Sequence, residues 1–251
     1  MERSAVDSSV DLAAAGTMPA GGATVAAVLA VKSLRQAKSR LAATLWDLAA
    51  TDDPGVRGSL VLAMFLDTVE ALRGAGVTRV VVVSPDAEVL AAARRSGTRG
   101  LPEEPSPRTG SDSGLNAAFS HGARWVRETW PDSGRLVFVQ ADLPAATSDS
   151  LREVLGETPP DGLSFLTDRD GTGTVLLHGH LPPDGSGSLD AAPRFGLGSA
   201  DAHRAAGAVE LDPDRRRWAD LRTDVDTASD LAAARELGLG RHTALALRHF
   251  G

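Results

Sequence analysis

Several kinds of chemistry are excluded by what this 251-residue sequence lacks. It contains no cysteine, which excludes disulfides, thiol nucleophiles, zinc-cysteine sites and iron-sulfur clusters. Its longest apolar runs, such as 80–83, fall far short of the roughly 18 residues that a membrane-spanning helix requires. Residues 1–23 lack the basic start and apolar run of a signal peptide. We therefore expect a soluble, cytoplasmic protein.

The charge balance argues against general binding to nucleic acids or anionic membranes. The sequence has 26 Lys and Arg against 33 Asp and Glu, a net charge of −7, and no long basic block. Both of those ligands require a positive protein surface. Only two of the basic residues are lysines, and both Lys32 and Lys38 lie within residues 31–40. This bias indicates that compact ammonium groups are needed in that segment.

Alternating strand and helix patterns predict a single α/β domain over residues 24–251, preceded by a flexible tail over 1–23. Strands separated by helical crossovers indicate a three-layer fold with a mostly parallel sheet, whose ligands lie at the carboxyl ends of the strands. A loop is predicted over 102–113. The predicted strands are 25–31, 79–84, 135–141, 163–168 and 174–178, and the predicted helices are 60–72, 87–95, 115–128, 148–155, 200–206 and 228–238.

A basic segment directly follows the first predicted strand. It contains Lys32, Arg35, Lys38 and Arg40, at the position where an open α/β sheet normally holds its ligand. A polyphosphate is the ligand that four cations favour, although a solvated basic turn would have the same composition. Neither a P-loop nor a dinucleotide-binding glycine motif follows this strand.

Three aspartates are candidate ligands for a hard metal ion. Asp142 follows an apolar strand and precedes Leu143-Pro144, so its carboxylate is expected at the ligand edge of the sheet. Asp224 and Asp226 are two residues apart and share one side of an extended segment. Together they predict a Mg²⁺ site. The alternatives are that Asp142 caps the helix near 148 and that Asp226 belongs to the turn before Thr227.

Three glycine-containing segments are weaker signals. Residues 171–173 lie between two predicted strands, and a hairpin turn is the simpler interpretation there. Residues 195–199 lead into a helix, where free backbone N–H groups and the Ser199 hydroxyl would suit an anion, although a helix cap explains them equally well. The segment from Gly114 to Asn116 is the weakest signal, because Asn116 could simply cap a first helical turn.

In order along the chain, these segments resemble the phosphoenolpyruvate or 2-phospho-L-lactate guanylyltransferases of coenzyme F420 biosynthesis. The resemblance extends from about Val25 to Thr243. It implies a nucleotidyltransferase fold similar to glycosyltransferase type A, and a reaction that joins the substrate phosphate to the GMP part of GTP with release of pyrophosphate. The segments are VKSLRQAKSRLA, LVLAMFLDTVEAL, GLNAA, ADLP, FLTDRDGTGTVLL, PRFGLGS, HRAAGAVEL and LRTDVDTASDLAAARELGLG.

The resemblance also implies roles for individual residues. Lys32, Lys38, Asp142 and Asp224 are the implied catalytic set. The other implied contacts are Asp142, Asp224 and the helper Asp226 on Mg²⁺, Thr174, Gly196 and Ser199 on the phosphoacid, and Lys32, Lys38, Arg40, Gly114 and Asn116 on the nucleotide. A downstream F420 transferase is a candidate partner, and phosphoenolpyruvate is the favoured acid.

The implied chemistry agrees with the residues. A phosphate monoester is largely ionised at neutral pH, because its second pKa is near 6, so the nucleophile needs no general base. We therefore interpret the six histidines as structural or surface residues. Two alternatives remain: another nucleotidyltransferase of the same fold, disfavoured by the missing glycine-rich run after the first strand, or a non-catalytic nucleotide-binding regulator, disfavoured by the three aspartates.

Overall fold

The sheet has seven strands in the order β3-β2-β1-β4-β6-β5-β7. The computed structural model describes residues 24–34, 54–104, 111–157, 162–181, 189 and 192–248. β6 runs antiparallel to its neighbours β4 and β5, whereas the other paired strands are parallel. The strands are β1 (Val25–Ala30), β2 (Arg79–Ser84), β3 (Arg99–Pro102), β4 (Arg135–Val139), β5 (Leu163–Thr167), β6 (Thr174–His180) and β7 (Val209–Glu210).

Helices cover both faces of this sheet, which makes the three layers expected from the sequence. Because side chains alternate along a strand, β1 sends Ala27 and Leu29 into one core and Ala26 and Val28 into the other. The helices are α1 (Pro54–Gly74), α2 (Ala87–Arg95), α3 (Ser111–Thr129), α4 (Ser148–Gly156), α5 (Ser199–Ala205), α6 (Ala219–Arg222), α7 (Ala228–Leu237) and α8 (Arg241–Leu247).

The two cores are formed by different helices. On one face α1, α2, α4 and α7 pack against the sheet, with the long helix α1 contributing Met64, Phe65 and Leu72. On the other face α3 and α5 pack, and Phe119 of α3 lies edge-on against Phe138 of β4 at 5.4 Å between ring centroids. Since both faces are covered, β1 is apolar throughout, and β2 and β4 carry continuous apolar runs after their first arginine rather than an alternating pattern.

Most predicted elements are confirmed. The differences are in the bounds of some elements, such as α1, which begins at Pro54 and not at 60, and in short elements that were not predicted. β2 and α2 have the predicted bounds. β3 occupies residues before the predicted loop, and α3 begins at Ser111, inside that loop and not at 115. β4 ends at Val139, two residues earlier than predicted, because Gln140 and the two residues after it turn away. The sequence patterns did not predict α6, α8 or β7.

Several predicted features lie outside the described residues. These are the tail over 1–23 and the basic residues Arg35, Lys38 and Arg40. Within the part of the chain that is described, no helix combines the length and the apolar character needed to cross a membrane.

Candidate active site

The residues that follow β1 are held by β2 and by the start of α2. The Val31 N–H donates to the Val83 carbonyl at 3.0 Å, which continues the parallel pairing past the end of the strand. The Leu34 N–H donates to Asp86 Oδ2 at 3.0 Å, while Asp86 Oδ1 caps α2 by accepting from Glu88. The start of the basic segment, with the exposed Lys32, is therefore fixed at the carboxyl edge of the sheet.

Three hydrogen bonds, to β6, to α1 and to the segment around Val225, hold the segment after β4 in place. The Gln140 N–H donates to the Val175 carbonyl of β6 at 2.9 Å. The Leu143 N–H donates to Thr68 Oγ1 of α1 at 3.2 Å, so a hydroxyl on the buried face of a helix receives the turning chain. The Val225 N–H donates to the Asp142 carbonyl at 3.1 Å. Since Val225 lies between Asp224 and Asp226, this bond brings the two acidic segments together.

Two adjoining cavities lie at this edge. One of about 280 Å³ is lined by all three predicted metal ligands and by Lys32 and Gln140. A second, of about 240 Å³, shares Lys32 and Leu115 with the first. It is also lined by the predicted Gly114, and by Pro85 and Glu103. Thr147 caps α4, so Asp142 is not the cap of that helix. Asp226 does lie in the bend directly before Thr227, where its N–H donates to Asp230 Oδ2 at 3.2 Å, and it lines the cavity as well.

The predicted phosphoacid-binding residues lie around the start of β6. Because β6 is antiparallel, its first residue, Thr174, lies at the same edge as the carboxyl end of β4, and the Gln140 amide lies 3.5 Å from the Thr174 carbonyl. Ser199 begins α5, and among the described residues its buried hydroxyl has no hydrogen-bond partner. Gly196 and Gly198 have φ of 130° and 67°, so the turn before Ser199 requires glycine.

The Asn116 side chain forms two hydrogen bonds with the backbone just before that turn. Its amide nitrogen donates to the Phe195 carbonyl at 2.9 Å, and its amide oxygen accepts from the Phe195 N–H at 2.7 Å. It lies in the second turn of α3, so it is not the first-turn cap considered from the sequence. Asn116 thus joins α3 to the segment that carries Gly196 and Ser199. A direct nucleotide contact by Asn116 stays a prediction.

Glu103 is a site residue that the sequence patterns missed. It follows β3, and its N–H donates to the Ser84 carbonyl at 3.0 Å. Burial raises the pKa of the Glu103 carboxyl, and the nearby charges of Lys32 and His121 oppose that shift. Only recognition of the short strand β3 could have placed this carboxylate at the carboxyl edge. Gln140 was available as a signal, because it is a polar residue between an apolar strand and Asp142.

A buried arginine holds the strand end and loop next to Asp224. Arg222 is 2% exposed and donates to the Thr167 carbonyl at 2.9 Å and to the Asp212 carbonyl at 2.8 Å. The guanidinium of Arg222 forms an ion pair with Asp212 Oδ2 at 3.2 Å. Burial lowers the pKa of Arg222, while the Asp212 carboxylate raises it. The network ties the end of β5 to the segment leading into Asp224.

Two of the five histidines that the structure describes are deeply buried. Burial, with a smaller effect of the Arg135 charge, lowers the pKa of His178 in β6 to about 3. Burial, with a smaller effect of the Arg194 charge, lowers the pKa of His203 in α5 to about 4. Both imidazoles are therefore neutral at neutral pH. His203 contacts Thr174, one of the predicted substrate residues.

A larger cavity, of about 590 Å³, lies between α1, α2 and α8. Beside it Asp67, Glu70 and His242 form a compact group whose potential metal-binding atoms all lie within 4.8 Å of one another. The two Asp67 oxygens accept from the backbone N–H groups of His242 and Thr243, at 2.9 and 2.8 Å. Glu70 pairs with Arg241 at 2.9 Å. These contacts account for the group as the cap of α8.

The donors around the 280 Å³ cavity suit Mg²⁺. Mg²⁺ prefers oxygen ligands, and in nucleotide enzymes it is held by one or two carboxylates together with substrate phosphates and waters. Asp142, Asp224, Asp226 and Lys32 all line this cavity, so it offers carboxylates for the metal ion and a cation for the phosphates. The residues present therefore fit a magnesium-nucleotide complex.

Comparisons with known proteins identify the family of this chain. A family model described as the MobA-like NTP transferase domain matches residues 62–192. A phosphoenolpyruvate guanylyltransferase from Nocardia farcinica is 44% identical over 228 residues, which cover 90% of this chain and 92% of the relative. This chain belongs to the phosphoenolpyruvate guanylyltransferase family. As a member of that family it is a nucleotidyltransferase enzyme.

Other relatives and solved structures extend this result. Phosphoenolpyruvate guanylyltransferases from Mycolicibacterium gilvum and Streptomyces scabiei are 42% and 43% identical, covering 90% and 87% of this chain and 95% and 94% of the relatives. A nucleotidyl transferase structure from Methanothermobacter has a TM-score of 0.56 at 18% identity, covering 91% of this chain and 100% of that one. A cytidylyltransferase from Leptospira borgpetersenii has a TM-score of 0.51 at 14% identity, covering 91% and 94%. At these identities the two structures support the fold.

Proposed function

We propose that this cytoplasmic enzyme joins GMP from GTP to the phosphate of phosphoenolpyruvate, or of a closely related three-carbon phosphoacid. A phosphate oxygen of the acid attacks the α-phosphorus of GTP. The bond from that phosphorus to the oxygen bridging to the β-phosphate breaks, and pyrophosphate leaves with the electron pair. The single observation that carries the proposal is the cavity lined by Lys32, Asp142, Asp224 and Asp226 at the carboxyl ends of β1 and β4.

The residues act by positioning and by charge. The attacking phosphate is already largely ionised, so the barrier comes from bringing a dianion up to a polyanion. Asp142 and Asp224, helped by Asp226, hold Mg²⁺, which when bound offsets the negative charge that builds up during transfer. Lys32, together with Lys38 and Arg40, binds the GTP phosphates. Gly114 and Asn116 border the nucleotide.

The acid occupies the neighbouring subsite formed by Thr174, Gly196 and Ser199. Support comes from the shared edge: Gln140 lines the metal-side cavity and also reaches the Thr174 carbonyl. The unpartnered, buried hydroxyl of Ser199 and the glycine turn before it provide polar groups for an anion. The two substrates would then meet across Gln140.

Pyrophosphate release tests this function. Purified enzyme with Mg²⁺ and GTP is given phosphoenolpyruvate, 2-phospho-L-lactate or 3-phosphoglycerate separately, with ATP replacing GTP as the nucleotide control. The downstream transferase that accepts the product is included, because it removes an unstable product. Release that requires GTP and one acid supports the proposal and identifies the acid. Measurable GTP binding without release in the presence of any acid would refute it.

A further inference from the structure

One buried hydrogen-bond chain links the predicted phosphoacid site to a histidine. Thr174 Oγ1 lies 2.9 Å from His203 Nδ1, and the Arg194 N–H donates to His203 Nε2 at 3.1 Å. His203 and Thr174 are only 1% and 3% exposed. The ring packs 5.6 Å from the centroids of both Phe165 and Phe195. The imidazole is therefore held in one orientation by contacts on both edges and on its faces.

The chain of donors fixes the protonation of the ring. A neutral imidazole carries one N–H donor and one acceptor nitrogen. A backbone N–H can only donate, so the Arg194 N–H requires Nε2 to be the acceptor. The remaining ring nitrogen, Nδ1, must then carry the hydrogen and donate it. The ring is neutral near pH 7, because burial and the Arg194 charge lower the pKa of His203 and outweigh the Ser199 backbone, which raises it.

This assignment determines what the Thr174 hydroxyl can do. Since Nδ1 donates, Thr174 Oγ1 accepts, and its own hydroxyl hydrogen is left for another acceptor. Among the described residues no second partner of Oγ1 is found. An anionic oxygen of a bound phosphoacid would be such an acceptor. The Thr174 hydroxyl would bind this oxygen more tightly because the hydroxyl cannot turn its own lone pairs toward the anion.

We propose that His203 is a positioning residue that makes the Thr174 hydroxyl an obligatory hydrogen-bond donor to an anionic oxygen of the phosphoacid substrate. The proposal rests on the proposed function, because it takes Thr174 to line the phosphoacid subsite. It gives a role to a histidine that the sequence interpretation had grouped with structural and surface residues. His203 does not touch the substrate and acts through Thr174.

The tautomer can be measured without activity. A long-range ¹H–¹⁵N spectrum of the histidine rings in the intact enzyme at pH 7 should show His203 as neutral with the hydrogen on Nδ1. The spectrum of the His203→Gln variant assigns the signal, because that signal disappears. A ring protonated on Nε2, or on both nitrogens, would overturn the proposal.

Kinetics test the consequence. His203→Gln keeps an acceptor near the Nε2 position but loses the donor to Thr174, whereas His203→Asn places an amide near the Nδ1 position and can keep that donor. We expect His203→Gln to raise KM for the phosphoacid by about 10- to 100-fold, with KM for GTP unchanged within about twofold. His203→Asn should recover part of this loss. Equal KM effects of His203→Gln on both substrates would indicate general damage and refute the role.

A double-mutant cycle separates positioning from packing. Thr174→Val removes the hydroxyl and should raise KM for the acid by a similar factor, while Thr174→Ser should retain most affinity. If His203 acts through Thr174, adding His203→Gln to Thr174→Val should raise KM no further; independent, multiplying effects would overturn the proposal. If wild type releases no pyrophosphate with any acid, the proposed function fails as well. An active wild type with an unaffected His203→Gln variant refutes only this inference.

Discussion

Two groups of acidic side chains in the described part of the chain differ in what surrounds their oxygens. Asp67 lies in the more compact group, next to the larger cavity, yet both of its oxygens accept backbone N–H groups at the start of α8. Asp142, Asp224 and Asp226 follow ordered segments at the carboxyl edge of the sheet and line a smaller cavity with Lys32. Neither compactness nor cavity size therefore identifies the chemical site. The candidate site is proposed instead from its place at the strand edge, where carboxylates and a cation line one cavity.

Asparagine substitution at each acid gives the largest expected contrast. Asp142→Asn or Asp224→Asn should lower kcat by about 10³-fold, because a metal ligand supplies several kcal/mol of charge stabilisation. Asp67→Asn should retain near wild-type kcat per folded molecule. Steady-state rates, with circular dichroism to confirm folding, give the answer. Near wild-type activity in both site variants, or a comparable loss in Asp67→Asn, would reverse the assignment of the two groups.

The buried arginine next to the site should be the next most sensitive position. Arg222→Met leaves Asp212 and several carbonyl oxygens without their cation, so we expect it to lower the free energy of unfolding by about 3–5 kcal/mol. Urea unfolding measures this change. Arg217→Met is the matched control, because Arg217 pairs with Glu153 and Glu157 at the exposed surface and should change stability little. Equal effects of the two substitutions would contradict the structural role of Arg222.

Asp67, which caps α8, should contribute less to stability than Arg222. Asp67→Ala removes the acceptor of two backbone N–H groups, and we expect a loss of about 1–2 kcal/mol in the free energy of unfolding. Asp67→Asn should cost less, since its amide oxygen can still accept. Added Mg²⁺ should not raise the melting temperature through this group. A Mg²⁺-dependent stabilisation that disappears in Asp67→Ala would show that the group binds metal after all.

The smallest expected effect is at the exposed lysine. Lys32→Ala should raise KM for GTP by about tenfold and change KM for the phosphoacid little, because the charge-assisted contact is made to the nucleotide phosphates. Lys32→Arg should lie between Ala and wild type, since it keeps the charge but changes its shape. Titrations of each substrate distinguish these outcomes. If Lys32→Ala instead loses affinity only for the phosphoacid, the assignment of the two subsites to the two substrates would have to be reversed.

Local sequence patterns predicted the long elements and missed the short ones. The runs of β2 and α2 carry strong sequence patterns and have the predicted bounds. The predicted start of α7 at Ala228 is confirmed, and Thr227 and Asp230 form a capping box there. β3, with the sequence RGLP, is too short to show a period, and it is defined by pairing with β2. Because the sequence patterns did not predict β3, they also did not predict that Glu103 lines a cavity at the carboxyl edge of the sheet.

The candidate site depends on contacts that no local pattern contains. Asp142 and Asp224 were each recognised from neighbouring residues, but the hydrogen bond from Val225 to the Asp142 carbonyl is a tertiary contact. Other hydrogen bonds likewise form only in the folded chain. They join Asn116 to Phe195, and His203 to Thr174 and Arg194. The roles of the predicted substrate and metal residues remain predictions that the experiments above address.

The bond between Val225 and Asp142 also bears on when the enzyme becomes competent. Chains are synthesised from the amino terminus, and β1 to β6 precede residue 181, whereas Asp224 and Asp226 come near the end. A ribosome-bound chain could already have paired most of its sheet while lacking two of the three site carboxylates. With Asp224 and Asp226 as proposed metal ligands, catalysis would begin only after both have been synthesised and Val225 has bonded to Asp142.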